Sequence, residues 1–334
     1  MRWGLTLLII TVAAILTIQN QEMIGEGWEI LRKAEIGWIL LSAAAALLSL
    51  FAMAEVMRLL FHAAGVRATM WQTTSLTLES NAWSVSVPGG VAFSTALQIK
   101  RQMDWGASVV VASWFMLFSG ALSTLGLISL AIGSLFFIGQ APAPGMLVLT
   151  GVIVLAATAL LWWISQNVEV LERIGQWVLR HINKLRKRPA HTDQVALHNL
   201  LQQLTSVQLG PAKMGVVFFW SLTNWITDVV CLYAATKAVG ADGISMAAVL
   251  LAFISGKVAG MIQATPGGVG PVEALLTGML VAAGLTGSQA FATVVIYRLI
   301  SLVFVAIIGW ILFILGGSQA PDVSKTAQGK SAQR

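Results

Sequence analysis

Several ionisable residues interrupt long apolar stretches of the sequence, where a charged side chain is costly and usually has a function. These residues are Glu55, Glu79, Asp228, Lys257, Glu273 and Arg298. Arg298 cannot lose its charge, so in the middle of an apolar segment it needs an acid or an anion as its partner. We therefore expect Arg298 either to pair with Glu273 or to bind a phosphate through two parallel hydrogen bonds, and to exchange between these two partners.

A glycine-rich step lies beside these charges and offers backbone donors. In Pro266-Gly267-Gly268-Val269-Gly270, free N–H groups and the start of the following helix can face an anion together. Lys257 precedes this step and could either join an anion site or extend towards the membrane surface. Glu273 follows the step, where it suits the first turn of a helix as well as an ion pair. This conjunction predicts a phosphate site built from Lys257, Pro266, Gly267, Gly268, Gly270, Glu273 and Arg298.

The first half of the chain contains a matching step, Pro88-Gly89-Gly90-Val91. Glu79 precedes it within an apolar segment, and Lys100 and Arg101 follow it. The two cations could receive a lipid head group at the cytoplasmic surface, or they could anchor the end of a helix there. The candidate substrate-binding residues of this half are Glu79, Pro88, Gly89, Gly90, Lys100 and Arg101.

A polar stripe on one predicted helix contains Asp228 together with Asn224 and Thr227. Such a stripe can hold helices together through hydrogen bonds, or its acid can take part in proton transfer. Hydrogen bonding between helices is the interpretation we prefer for Asp228.

The sequence carries no pattern typical of a soluble enzyme. Its four histidines lack metal-ligand spacing, and neither a P-loop nor a Gly-x-Ser-x-Gly motif occurs. A single cysteine, Cys231, excludes an internal disulfide and a cysteine-based metal cluster. We therefore expect no metal, no cofactor and no enzymatic activity, although a membrane transferase acting on a lipid phosphate stays open.

The composition indicates a protein whose solvent is a lipid bilayer. Of its 334 residues, 57% are hydrophobic and 10% are charged, whereas a soluble domain carries about 25% charged residues. The mean hydropathy is +0.81. We predict an all-α integral membrane protein in which residues 1–334 form a single polytopic domain. Apolar runs of spanning length predict six full spans, at 3–19, 36–61, 107–137, 146–165, 213–236 and 288–315.

Two further apolar regions, 73–99 and 246–284, are interrupted at the Pro-Gly-Gly steps. Unpaired backbone is tolerated at membrane depth only beside protein or a watery cavity, and paired interruptions mark the substrate sites of transporters. We therefore predict two re-entrant hairpins, each made of a helix, a break and a second helix. An offset of 178 residues superimposes the two steps and predicts an inverted repeat with halves at 36–137 and 213–315.

The distribution of charge predicts an orientation in a bacterial inner membrane. Basic residues collect in the 166–212 loop, and cytoplasmic loops carry such an excess. The same bias places both termini in the cytoplasm and the acidic 20–35 loop outside, provided that each hairpin returns to the side it entered. The basic loop suits anionic lipid better than nucleic acid, so we expect no nucleic-acid partner. We predict disorder for the tail, 318–334.

The segment from Gln263 to Ala274, together with Tyr297-Arg298-Leu299, resembles the flippase-like membrane domain of the lysylphosphatidylglycerol synthase transmembrane family. The family's signature looks like Pro-Gly-Gly-hydrophobic-Gly-x-x-Glu-Ala followed later by Tyr-Arg, and both parts are present. The resemblance covers nearly the whole chain and implies a membrane lipid flippase or a lipid-linked transport role. The resemblance implies that the following residues have functional roles: Pro266, Gly267, Gly268, Gly270, Glu273 and Arg298.

The first half departs from the family pattern, which often has a Gly-Glu pair and an arginine soon after the first break. Here Val91-Ala92-Phe93-Ser94 follows, and the nearest cations are Lys100 and Arg101. No soluble aminoacyl-transferase domain accompanies these segments, so we do not expect lysyl transfer by this chain alone. We expect a flippase that moves an anionic phospholipid, or a lipid-linked glycan or polyprenyl phosphate, by alternating access. The alternative is a non-transporting membrane partner that recruits or regulates a separate glycosyl- or aminoacyl-transferase.

Overall fold

A computed structural model describes residues 21–87, 89–134, 144–167, 207, 209–261 and 265–316. The regular structure of these residues is helical throughout, with no strand among them. The helices are α1 (Gln21–Arg32), α2 (Ile36–Ala63), α3 (Met70–Ser86), α4 (Gly90–Asp104), α5 (Val109–Ser134), α6 (Pro144–Gln166), α7 (Pro211–Ala238), α8 (Met246–Met261), α9 (Pro271–Ala282) and α10 (Gly287–Gly316). The all-α fold predicted from the composition is confirmed for the described residues.

Among the described residues, four helices are long and apolar enough to cross a membrane: α2, α5, α7 and α10. They coincide with the spans predicted at 36–61, 107–137, 213–236 and 288–315. The span predicted at 146–165 corresponds to the 23-residue helix α6. The following predictions fall outside the described residues: the 3–19 span, Pro88, most of the 166–212 loop and the 318–334 tail.

The acidic 20–35 segment, which connects two predicted spans, contains helix α1. Ile30 and Leu31 of α1 pack against the hydrophobic core, which holds this connecting helix on the bundle. Helix α1 meets the start of α10, where Ser288 Oγ donates to Glu26 Oε2 at 2.6 Å. Just beyond α1, the backbone N–H of Glu35 donates to the Ala238 carbonyl at 3.0 Å. The start of α2, the end of α7 and the start of α10 therefore lie at one end of the bundle, which we call the acidic end.

The opposite end, which we call the basic end, collects the end of α2, the start of α3 and the end of α4. The Phe61 and Trp105 rings meet edge to face there, with centroids 6.1 Å apart. Trp71, Arg101 and Gly316 line one small cavity of about 230 Å³, which also places the end of α10 here. Helices α3 and α4 thus leave and return at the basic end, and α8 and α9 connect to α7 and α10 at the acidic end.

The turns inside the two hairpins use left-handed backbone, which glycine adopts without steric cost. Gly89 has φ 72° between α3 and α4, and Gly267 has φ 62° in the 3₁₀ turn Pro266–Gly268 between α8 and α9. These two glycines are related by the 178-residue offset. The same offset relates Gly106 (φ 93°) to Gly284 (φ 103°), which follow the two hairpins. The order of long helix, broken hairpin and long helix therefore occurs twice along the chain.

Helices α2 and α7 pack side by side at the centre of the fold and exchange polar contacts. Ser42 Oγ donates to the Cys231 carbonyl at 2.9 Å, and Asn224 Nδ2 donates to the Ser49 carbonyl at 2.9 Å. Such interhelical hydrogen bonds hold helices together where lipid cannot supply a hydrophobic driving force between them. This central pair supports the hairpins, which pack around it.

Candidate anion-binding site

Arg298 and Glu273 form an ion pair across the second break. Glu273 lies in the first turn of α9, and Arg298 precedes a π-helical segment of α10, Leu299–Phe304. Arg298 Nε donates to Glu273 Oε1 at 2.5 Å, and the two side chains are 17% and 30% exposed. The structure therefore contains the acid partner that the sequence predicted for Arg298.

The same ion pair also shapes the backbone of the break. Arg298 Nη2 donates to the Gly267 carbonyl at 2.5 Å, and the Gly270 N–H donates to Glu273 Oε2 at 2.5 Å. Glu273 thus caps the start of α9 and neutralises Arg298, so the two roles open in the sequence are filled together. A ligand that takes Arg298 would free the Gly267 carbonyl and leave Glu273 with the Gly270 N–H but without its cation.

Lys257 is held by a partner that the sequence did not identify. Its Nζ lies 2.5 Å from Asp228 Oδ2 on α7, and Tyr297 Oη donates to Asp228 Oδ1 at 3.0 Å. The ammonium also lies over the rings of Phe253 (4.9 Å) and Trp225 (5.5 Å), an arrangement that stabilises a cation. Lys257 therefore points into the fold rather than towards the membrane surface, and Asp228 forms an ion pair with it.

Two cavities of about 330 Å³ each meet at these pairs. Both are lined by Trp225, Lys257, Gly267, Tyr297 and Arg298. The first extends between α8 and α9 towards apolar side chains, whereas the second extends towards α2, α3 and α5. The second is rich in neutral hydrogen-bonding groups, contributed by Ser49, Asn81, Ser123, Asn224 and Ser301. Both cations of the predicted phosphate site therefore lie in a wall shared by two cavities.

The two breaks approach each other at this site. A methyl group built on Gly267 would lie 3.5 Å from Cβ of Val85, at the end of α3, and 2.7 Å from Cδ1 of Leu302 on α10. Gly267 has φ 62°, which strains any residue with a side chain, and an added methyl group would also force the Leu302 side chain to move. The end of α3, next to the first break, thus forms part of the wall around the second.

The backbone donors of the second break are partly occupied. The Gly268 N–H donates to the Thr265 carbonyl at 3.0 Å, and the Gly270 N–H is taken by Glu273. An incoming anion would therefore meet Lys257 and Arg298 first, and would reach these amides only if the turn opened.

The candidate residues of the first half form a separate cluster. Glu79 is buried, accepts from Ser75 Oγ at 2.8 Å and lies 3.6 Å from Arg101 Nη2. This ion pair lines the 230 Å³ cavity at the basic end rather than the two central cavities. Lys100 is exposed, and Gly90 packs so closely on the end of α3 that an added methyl would clash with the Trp83 carbonyl. The structure does not bring these residues to Lys257 and Arg298.

Comparison with known proteins agrees with this architecture. The family model described as "Lysylphosphatidylglycerol synthase TM region" matches residues 3–309. Two relatives, both described as "UPF0104 membrane protein" from Methanothermobacter thermautotrophicus, are similar over part of the chain. One is 27% identical over 162 residues (46% of this chain, 48% of the relative), and the other is 26% identical over 167 residues (49% of each). The match thus spans about half the length of each relative.

Proposed function

Because the chain belongs to the family of the lysylphosphatidylglycerol synthase TM region, we propose that it is a lipid flippase. The proposed cargo is an anionic phospholipid, or a lipid-linked glycan or polyprenyl phosphate, moved between leaflets of a bacterial inner membrane. One observation carries the proposal: Lys257 and Arg298 lie together in a wall shared by two cavities. An arginine fork beside a lysine suits a phosphate, and the proposed activity breaks no covalent bond.

The proposed binding step is an exchange of partners. Without lipid, Asp228 and Glu273 neutralise Lys257 and Arg298 at 2.5 Å each. A lipid phosphate would replace one or both carboxylates, which lowers the cost of bringing its charge into the membrane. Gly267 and Gly268 would add backbone donors after the turn opens, while the Gly270 N–H stays with Glu273. The charges of Lys257 and Arg298 are therefore paired with carboxylates when no lipid is bound, and they would be paired with the phosphate when a lipid is bound.

The proposed transport step is a movement of one repeat against the other. We propose that α3–α4 and α8–α9 are re-entrant hairpins of an inverted repeat, entering from the cytoplasmic and the outer side respectively, with both termini cytoplasmic. The return of α3–α4 at the basic end and the connection of α8–α9 at the acidic end support this arrangement. Where the two breaks meet, rocking of the halves would open the site to alternate leaflets.

The first test identifies the bound lipid. The protein would be isolated in native membrane patches as wild type, Lys257→Gln and Arg298→Gln, and the co-isolated lipids measured by mass spectrometry. Lys237→Gln is the matched control, because Lys237 pairs with Asp242 at the acidic end and lines neither cavity. We expect one anionic lipid to be enriched in wild type and Lys237→Gln and to fall to the bulk level in the other two.

The second test measures movement of that lipid. Proteoliposomes containing a fluorescent form of the enriched lipid would be exposed to a membrane-impermeant quencher, which reports transfer between leaflets. Transfer should depend on Lys257 and Arg298 and not on Lys237. Equal rates in all variants, or a bulk-like lipid profile in wild type, would show that this site does not carry lipid.

A second candidate function is supported by a different surface. A cavity of about 720 Å³ at the basic end is lined by Arg58, Arg67 and Lys213, next to the connection to the 166–212 loop. We propose as the alternative that this basic surface and the loop recruit a cytoplasmic transferase. In that case Arg67→Gln with Lys213→Gln should abolish co-purification of a transferase, whereas Lys257→Gln should have no effect on it.

A further inference from the structure

The two carboxylates of the candidate site differ in what each keeps when its cation is taken by a ligand. Glu273 keeps the Gly270 N–H at 2.5 Å and the positive end of the α9 helix dipole. Its negative charge therefore stays stabilised after Arg298 has moved to a phosphate.

Asp228 has no comparable support. It lies in the middle of α7 rather than at a helix start, and its side chain is 14% exposed. In the part of the chain that the structure describes, its hydrogen-bond partner apart from Lys257 is the Tyr297 hydroxyl, at 3.0 Å. If Lys257 moves to a phosphate, the Asp228 carboxylate loses its ion-pair partner, and an unpaired buried charge is costly.

Among the described residues, the surroundings of Asp228 offer no replacement cation other than Arg298. Facing it are Lys257 from α8, Tyr297 and Arg298 from α10, and the Cys231 thiol on α7 itself. Helices α5 and α6, which also pack against α7, carry no ionisable residue, and the charged residues of α2 do not line these cavities. Arg298 already donates to Glu273 and Gly267 and is the proposed partner of the phosphate.

From this asymmetry we propose that Asp228 is a proton-binding site that is filled when an anionic lipid binds Lys257, so that lipid movement is coupled to proton movement. The inference rests on the flippase function proposed above. In the loaded state Lys257 keeps its ammonium proton and faces the phosphate, while Asp228 binds one proton taken from water. Release of the lipid returns Lys257 to Asp228, whose proton leaves to water. A phosphodiester lipid with one negative charge would thus cross together with one proton, as an electrically neutral pair.

The test counts protons as lipid binds. Purified full-length protein in phosphatidylcholine nanodiscs would be titrated with short-chain phosphatidylglycerol in a calorimeter, in several buffers of different ionisation enthalpy. A phosphodiester does not titrate near neutral pH, so any proton taken up belongs to the protein. The variants are Asp228→Asn, which abolishes the proposed site, and Asp242→Asn, the matched control, because Asp242 is exposed, pairs with Lys237 at the acidic end and lines neither central cavity. Thermal unfolding of each variant in the same nanodiscs confirms that it is folded.

We expect wild type and Asp242→Asn to take up roughly one proton per bound lipid. Asp228→Asn should bind phosphatidylglycerol at least as tightly, because Lys257 has lost its internal competitor, and should take up almost none. As a second readout, infrared difference spectra should show a carboxylic-acid carbonyl band on lipid binding that is absent from Asp228→Asn. Binding without proton uptake in wild type, or equal uptake in Asp228→Asn, would overturn the coupling alone. Failure of wild type to bind phosphatidylglycerol would overturn the phosphate site and the inference with it.

Discussion

Arg298 and Glu273 are 25 positions apart in the sequence, yet their side chains meet at 2.5 Å across the break between α8 and α9. The same guanidinium holds the Gly267 carbonyl on the other side of that break. The residue best suited to bind a phosphate therefore also fixes the backbone of the hairpin. In the proposed flippase, a lipid that engages Arg298 would loosen the turn and would thereby link binding to a change of conformation through one side chain.

Arg298→Gln should lower both stability and lipid retention. It removes two charge-assisted contacts and leaves Glu273 half-buried without its cation, which should cost about 2–4 kcal/mol. The double variant Arg298→Gln/Glu273→Gln should recover much of that stability, because it no longer contains the unpaired charge. Thermal unfolding in one detergent checks the first effect and lipid mass spectrometry the second. Recovery of lipid retention by the double variant would contradict the proposed role of Arg298.

Gly267→Ala should destabilise the second hairpin by about 1–3 kcal/mol, because alanine is strained at a positive φ and its methyl group would press on Leu302. Gly278→Ala is the matched control, since Gly278 lies in helix α9 with open space around it. That change should be neutral or stabilising by up to about 1 kcal/mol. Differential scanning of both variants compares them directly, and equal melting temperatures would contradict the close approach at Gly267.

Gly309→Ala should separate α3 from α10. A methyl group on Gly309 would lie 2.2 Å from the Leu78 carbonyl oxygen and 2.8 Å from Cβ of Ala82. Because α3 also touches Gly267 through Val85, we expect reduced lipid retention as well as a lower melting temperature. Gly120→Ala, on the open face of α5, is the control and should change neither.

The helices were predictable from the sequence because hydropathy and length decide them in a bilayer. The Arg298–Glu273 pair was predictable too, since a permanent charge in an apolar segment requires a partner and Glu273 was the acid after the break. The Lys257–Asp228 pair was not. Its members lie 29 positions apart on different helices, and no local spacing reveals how α7 and α8 are rotated against each other.

Two further features carried no usable signal. The π-helical segment Leu299–Phe304 follows Arg298 directly, yet its residues are as apolar as the rest of α10. Such segments occur often at functional sites, and this one changes the direction of the side chains that follow Arg298. The sequence also did not predict that the Glu79–Arg101 cluster lies apart from the central cavities. The predicted repeat suggested equivalent roles for both hairpins, but side-chain contacts depend on how the helices pack.

The Glu79–Arg101 cluster offers a contrast with the central site. Arg101→Gln should destabilise the protein by about 1–3 kcal/mol, because Glu79 is buried and would lose its cation. Lys100→Gln, which alters an exposed neighbour on the same helix, should have no measurable effect on melting temperature. Lipid retention should be unchanged in both, since neither residue lines the central cavities. Loss of lipid in Arg101→Gln at normal stability would instead give the first hairpin a direct part in binding.

The proposed re-entrant arrangement predicts which positions share a side of the membrane. After Cys231→Ala, single cysteines would be introduced as Arg67→Cys and Asp104→Cys, which flank α3–α4, and as Gly243→Cys and Ala282→Cys, which flank α8–α9. All four positions are exposed, so a membrane-impermeant thiol reagent can reach them from the appropriate side. We expect the first pair to react only in inside-out vesicles and the second pair only in intact cells. A hairpin returns its two ends to the same side of the membrane only when it re-enters or crosses twice. If α3–α4 or α8–α9 instead crossed the membrane an odd number of times, the two cysteines that flank it would react from opposite sides.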